Sequence, residues 1–208
     1  MPTKLWIIGA GGHAKVVVST QWPNKADVNI SIFDSNPEKS GTILLGYPIS
    51  DGFESDDIDA FHIAIGDNRT RFLLYEQFKN QAKFQTIVSS SSHIYPQVEL
   101  ADGVFVASGA IIGPEAKVGR GSIINHGAIV DHDSTIGEFC HIAPNASLSG
   151  GVVIGHHTLI GAGAVVLPGI RIADGAVVGS GAVVTKNLEY GQVYIGAPAR
   201  AKHNRYEQ

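Results

Sequence analysis

The sequence predicts two units in series, a small α/β domain followed by a parallel β-solenoid of about five coils. Three observations predict this. From Ile94 onward every sixth residue is aliphatic: Ile94, Leu100, Val106, Ile112, Val118, Ile124, Val130, Ile136, Ile142, Leu148, Ile154, Ile160, Val166, Ile172, Val178 and Val184. Only 52 of the 208 residues are Ile, Leu or Val, so sixteen hits in succession mark a hexapeptide repeat. Two residues before each of these positions the side chain is small in twelve of the sixteen hexads, Ala110, Ser122, Ser134, Cys140 and Thr158 among them. The first ninety residues differ, alternating short apolar runs with helical segments.

Each hexad reads as one short strand plus a bend. The aliphatic residue points to the solenoid axis and the small residue fits a crowded corner. The glycines that directly follow the aliphatic residue, at 113, 119, 137, 155, 161 and 179, are expected to supply the backbone geometry of the turn. Three hexads close a coil of 18 residues, so residues 94–184 make about five coils. At ~4.8 Å per strand the prism is roughly 24 Å tall. No hexad is interrupted, so no long loop is expected to leave it.

In the first unit, Lys4–Ile8 reads as a buried strand and Gly9-Ala-Gly-Gly-His-Ala14 as a Gly-rich turn. A helix is expected from Lys15 to Gln21, ended by Pro23. Asn29–Phe33 is a second strand and Phe61–Ile65 a third. A helix over Arg69 to Gln81 and a short strand from Phe84 to Val88 complete a small parallel sheet. The expected divisions are a Rossmann-like βαβ domain at 1–89, the β-helix at 93–188 and a tail at 189–208. Ser89–Ser92 forms the boundary, and Lys186-Asn-Leu188 is expected to end the prism.

Composition narrows the class. Hydrophobic residues are 44% and charged residues 16%, against about 25% charged in an average domain, which excludes intrinsic disorder. The single cysteine excludes an internal disulfide and a thiolate zinc site. No apolar run reaches the ~18 residues of a membrane span. The first residues lead directly into a strand, so a cytoplasmic protein is expected. A net charge of −4 argues against a nucleic-acid binder.

The turn Gly9-x-Gly11-x-x-Ala14 matches a phosphate-binding fingerprint, with Asp34 twenty residues on, where an acid meets a ribose hydroxyl. About ninety residues are too few for a full dinucleotide fold, so a mononucleotide fits better. His132, in Val130-Asp-His-Asp133, has an unperturbed pKa near 6.5 suited to a general base. Either Asp131 or Asp133 is placed to orient it. His126, His156 and His157 read as surface or interface histidines.

A Gly-rich βαβ module, an uninterrupted hexapeptide solenoid and a Gly196-Ala-Pro-Ala-Arg200 ending resemble, over the whole chain, the left-handed β-helix sugar O- and N-acyltransferases. The nearest subgroup is that of the bacillosamine-pathway and perosamine N-acetyltransferases, with the sialic acid O-acetyltransferases beside it. The resemblance implies the left hand of the helix, acetyl-CoA as co-substrate with no metal, and a homotrimer holding acetyl-CoA between neighbouring prisms. It implies His132 as base, supported by Asp133, with the Gly150 N–H as oxyanion donor. His141, Ala162 and Ser180 match positions that contact acetyl-CoA. Gly11, Gly12, His13, Asp34, Ser35 and Gly66 match positions that bind the nucleotide sugar. Arg171, Lys186, Arg200, Lys202 and Arg205 are further candidates for the CoA phosphates.

The activity so implied is N-acetylation of a UDP-linked 4-amino-4,6-dideoxy sugar, for glycan or glycoprotein biosynthesis. The rivals are a sialic acid O-acetyltransferase and a non-catalytic nucleotide-sugar-binding protein.

Overall fold

The computed structural model describes residues 4–21, 23, 25–52 and 58–202; Arg205 lies outside them. The N-terminal unit is one six-stranded sheet, with β1 (Lys4–Ile8), β2 (Asn29–Phe33), β3 (Ile43–Leu44), β4 (Tyr47–Ser50), β5 (Ala60–Ile63) and β6 (Lys83–Phe84) in the order β3-β4-β2-β1-β5-β6. Neighbours are parallel except β3 and β4. The sheet is therefore mixed rather than parallel. The antiparallel pair turns through Leu45 and Gly46, both at positive φ (48° and 89°), the backbone of a tight two-residue hairpin. Leu in place of Asn or Asp at the first position concealed the hairpin from sequence reading.

Helix α1 spans Gly12–Ser19 and α2 Asn68–Phe78. The first begins three residues earlier than expected, inside the glycine turn, and stops before Pro23. Its end is closed by Thr20, whose hydroxyl donates to Val16 O at 2.7 Å. The second is capped by Asp67, which accepts from the Thr70 N–H at 2.8 Å.

The expected strand Phe84–Val88 divides: Lys83–Phe84 closes the sheet, and Ile87–Val88 forms the first rung of the solenoid, paired with Phe105–Val106. From there three parallel faces rise. The first face carries rungs at 87–88, 105–106, 123–124, 141–142, 159–160, 177–178 and 193–195. The second runs from 93–94 to 183–184, and the third from 99–100 to 171–172. The prism does not end at Lys186–Leu188. Leu188 bridges Ile172, Val193–Tyr194 adds a rung on Val177–Val178, and Arg200–Ala201 pairs antiparallel with it.

The inward aliphatics from Val106 to Val184 are all buried, as are the small residues two positions earlier. Several small residues are polar for a reason. Ser122, Ser134, Cys140 and Thr158 each donate to the carbonyl fifteen residues on, at 2.8, 3.2, 2.9 and 3.1 Å, so no buried donor is wasted.

The glycines after the aliphatic residue have a different role from the one expected. The left-handed backbone falls two residues later, at Glu115 (φ 61°), Gly121 (61°), Gly127 (63°) and Asp133 (58°). Gly137 is required by close approach instead, since a Cβ there would lie 2.7 Å from the Gly155 carbonyl carbon one coil on.

The two units share their core. Leu5 and Ile7 of β1 pack with Val17 and with the outward Phe105 and Ile123 of the first face. On the other side of the sheet, Trp6 and Ile8 join Phe61, Phe78, Phe84 and the solenoid's Phe139.

Arg71 of α2 locks this interface. It is 1% exposed. Its guanidinium donates to Gly121 O (2.6 Å), Cys140 O (3.0 Å), Ile65 O (2.9 Å), Gly66 O (3.1 Å) and Asn68 Oδ1 (2.8 Å). Burial lowers its pKa to about 10, so it stays charged at neutral pH. Asn68 extends the lock, donating to His157 O and Thr158 O, both at 3.1 Å. Replacing Arg71 with Met strands these carbonyls, and thermal unfolding should report a loss of about 3 kcal/mol or more.

Candidate active site

Corner residues eighteen apart stack directly. Between the second and third faces runs a column of Pro114, His132, Gly150 and Pro168. It is held by Asp133 N–H to Pro114 O (3.1 Å), Gly151 N–H to His132 O (2.9 Å) and Gly169 N–H to Gly150 O (3.0 Å). The Asp133 φ of 58° turns the chain there, a conformation Asp tolerates better than most residues. His132 Nδ1–H donates to Asp133 Oδ2 at 2.7 Å, which leaves the Nε2 lone pair free in the neutral ring. That bond, and then the Asp131 charge, raise the His132 pKa above its usual value.

The imidazole is exposed and Nε2 faces Gly150, where a Cβ would stand 2.4 Å from it. Among the described residues the Gly150 N–H donates to no other group. Beside this corner lies a cleft of about 330 Å³ lined by Tyr95, Ile111, Gly113, Ile129, Asp131 and His132.

A second group gathers where the sheet meets the first face. Gly11, Gly12, His13, Asp34, Ser35 and Gly66 follow the C-terminal ends of β1, β2 and β5, the usual ligand crevice of an α/β sheet. Gly9 is fixed by the fold, with φ 103° and Ile65 2.8 Å from a Cβ, whereas a Cβ on Gly11 or Gly12 would meet nothing within 4 Å. The open side of that turn is free for a ligand to approach.

Asp34 accepts from Ala10 N–H (2.7 Å), Asn36 N–H (2.9 Å) and Lys39 Nζ (2.8 Å). Partial burial works to raise its pKa, but these bonds outweigh burial and hold it below the usual range. Ser35 is exposed. The His13 Nε2 is buried without a hydrogen-bond partner, and its ring stands 6.3 Å from that of His141.

His141 is outward on the first face, but both its nitrogens are engaged within the chain. Nδ1–H donates to Gly66 O at 3.2 Å and Nε2 accepts from Asn125 Nδ2 at 3.0 Å. Burial lowers the His13 pKa to about 3 and that of His141 to about 4. A cleft of about 390 Å³ is lined by His141 with Gly66, Asn68, Arg69, His157 and Leu159. Ala162 and Ser180 stack at the corner between the first and second faces, where Gly181 N–H meets Ala162 O at 2.9 Å.

The chain therefore brings the nucleotide candidates and His141 together. It does not bring them to His132, Asp133 and Gly150, whose corner is opposite the first face.

Sequence reading missed Arg71, which passes for a solvated helix residue, and His62. The latter is buried in β5, donates from Nδ1 to Gln85 O at 2.8 Å, and is lowered to about 4 by burial. His157 stacks on Phe139, and the His156 Nδ1 accepts from the Glu138 N–H, so both serve packing and turns. Cys140 is buried, which pushes its thiol up to about 12. Among the described residues no cluster of His, Cys, Asp or Glu is arranged to hold a metal ion, and no helix is long and apolar enough to cross a membrane.

Residues 4–78 match the family model described as the PglD N-terminal domain, and residues 151–186 match the bacterial transferase hexapeptide model. A crystal structure of a mutant perosamine N-acetyltransferase from Caulobacter crescentus, in complex with CoA and GDP-perosamine, is 34% identical, with a TM-score of 0.89 over 96% of this chain and 97% of that one. The acetyltransferase domain of PglB from Neisseria gonorrhoeae FA1090, in complex with acetyl coenzyme A, is 28% identical with a TM-score of 0.88 over 97% and 100%. WeeI from Acinetobacter baumannii AYE gives 28% and 0.88 over 95% and 99%. No curated protein sequence matches significantly.

A mixed α/β sheet seated on a left-handed β-helix defines the class, a hexapeptide-repeat acyltransferase. Within that class, the chain belongs to the hexapeptide-repeat sugar acyltransferase family.

Two outcomes follow from this geometry. Gly150→Ala places a methyl against Nε2, so the His132 ring signals in an NMR spectrum should move while the circular dichroism stays unchanged. The buried His13, His62 and His141 have native pKa values of about 3, 4 and 4, below the ~6.5 of the unfolded chain. The unfolded state thus binds more protons in that window, and stability falls as pH drops from about 6.5 towards 4. Thermal midpoints measured across this range should decline with acidity, and less so in His62→Gln.

Proposed function

We propose that the protein transfers an acetyl group from acetyl-CoA to the amine of a nucleotide-linked 4-amino-4,6-dideoxy sugar, of the UDP type. The observation that carries this reading is the His132–Asp133 pair at 2.7 Å, with the free Nε2 facing Gly150. An ammonium has no lone pair, so the sugar amine must lose a proton to attack a thioester. That first proton goes to solvent; as the neutral amine attacks and the N–C bond forms, the His132 Nε2 takes a second proton from the nitrogen, and Asp133 stabilises the imidazolium that forms. Attack turns the thioester carbonyl into an oxyanion, which the Gly150 N–H receives. The tetrahedral intermediate collapses, the C–S bond breaks, and the proton on His132 goes to the departing CoA thiolate.

The nucleotide lies in the crevice of Gly11, Gly12, His13, Asp34, Ser35 and Gly66. The open space at both glycines and the unpartnered His13 Nε2 support this. Acetyl-CoA runs along the corner of Ala162 and Ser180. In one chain these groups lie across the prism from His132, so the working site needs a neighbouring copy. The second face supports a homotrimer: its outward column carries Ile111 (38% exposed) and Ile129 (37%) with Val165 and Val183, apolar from Ile111 to Val183 apart from Ser147 and set between the two candidate corners. The similarity to nucleotide-sugar N-acetyltransferases favours the amine acceptor over the hydroxyl of a sialic acid.

Thiol release from acetyl-CoA should appear with one member of a panel of UDP-4-amino sugars, GDP-perosamine and free or CMP-linked sialic acid. His132→Ala should lose about 10²–10⁴-fold in kcat while eluting as a trimer on size exclusion. A folded variant with near-normal turnover refutes the mechanism.

A further inference from the structure

We infer that Asp131 is a positioning residue for His132, pinning the corner backbone that carries the imidazole and setting a second carboxylate charge beside it. The inference rests on the reading of His132 as the base. The two acids flanking His132 do separate work. Asp133 Oδ2 takes the ring Nδ1–H, and Asp131 Oδ1 takes the His132 backbone N–H, each at 2.7 Å.

The same position in the preceding hexad shows what the backbone bond requires. There Asn125 Oδ1 accepts from the His126 N–H at 2.8 Å, so a neutral amide suffices to hold the corner. An aspartate at 131 adds only charge.

The repeat makes that charge exceptional. The residue directly after the inward aliphatic is uncharged in every other hexad from Tyr95 to Thr185, most often Gly or Ala. A small residue is the rule there because the next coil approaches closely. At Gly113, one coil before Asp131, a Cβ would stand 3.2 Å from the Asp131 Cα and 2.7 Å from the His132 nitrogen. Asp131 sets a carboxylate at this corner position, beside the imidazole read as the base.

The surroundings leave its field uncancelled. The coil before presents Gly113, Pro114 and Glu115 to this corner, and the coil after presents Ser149, Gly150 and Gly151. The ionisable groups that this corner and its cleft bring to His132 are Asp131, Asp133, Glu115 and the Tyr95 phenol, with no cation among the described residues there. The hydrogen bond from Asp133 is the larger cause of the raised His132 pKa and the Asp131 charge the next. Ions at so exposed a corner are screened by salt, so the effect should weaken as ionic strength rises.

Asp131→Asn keeps the acceptor for the backbone and removes the charge, while Asp131→Ala removes both. NMR titration of His132 in the apo protein is the first readout, since it does not depend on turnover. In Asp131→Asn the His132 titration should move to lower pH, and the acid limb of kcat/KM should move with it. A roughly two- to fivefold loss of kcat should accompany this, far short of the loss on removing the base itself. Asp131→Ala should lose more and show altered His132 backbone amide signals. An unchanged titration in Asp131→Asn overturns the electrostatic role, and equal behaviour of the two variants overturns the backbone role. A wild-type protein that transfers no acetyl group refutes the proposed function instead, whatever the titrations show.

Discussion

From Phe105 to Val184 each rung of the solenoid sits on the rung eighteen residues before it, and the remaining structure depends on that register. Parallel strands stacked at the usual spacing leave no freedom in where a corner residue goes. His132 is held over Pro114 and under Gly150 by backbone bonds of 3.1 and 2.9 Å on either side of it. The same register demands bare corners, because a Cβ on Gly113 or Gly137 would collide with the next coil. The corner after the second face departs from the small, uncharged pattern at Asp131-His132-Asp133.

The second dependency is the join between the units. Outward side chains of the first face, Phe105, Ile123 and Phe139, are buried under the sheet, so neither unit has a complete core alone. Arg71 places a charge inside this join and spends its donors on neutral acceptors from both sides. Gly66 O receives both Arg71 and His141, so the crevice at the end of β5 and the first face are held by one shared acceptor. His13 lies beside His141, and these two and His62 remain neutral because burial disfavours their charged forms.

The hexad phase was legible because an inward aliphatic every six residues has no other economical explanation, and it predicted correctly that Ile142 points to the solenoid axis. Other features were not. The glycines at 113 and 137 read as turn formers and prove to be clearance residues, since sequence shows spacing within a coil but not the approach of the next. The strand expected at Phe84–Val88 splits between the sheet and the solenoid because continuous apolar residues do not reveal which partner each finds. Arg71 carries no local signal, as its acceptors come from residues 65, 66, 68, 121 and 140.

By itself, the sequence determined the repeat, the alternating N-terminal elements and the residue types able to carry acyl transfer. These follow from local periodicity and intrinsic acid–base chemistry, which survive in one dimension. Only the tertiary structure decided which acid bonds the His132 ring, that both nitrogens of His141 are engaged, and that the crevice of Gly11, His13 and Gly66 lies across the prism from His132. Those facts depend on how three faces close and how a sheet seats on one of them, and contacts of that range leave no trace in the spacing of residues along the chain.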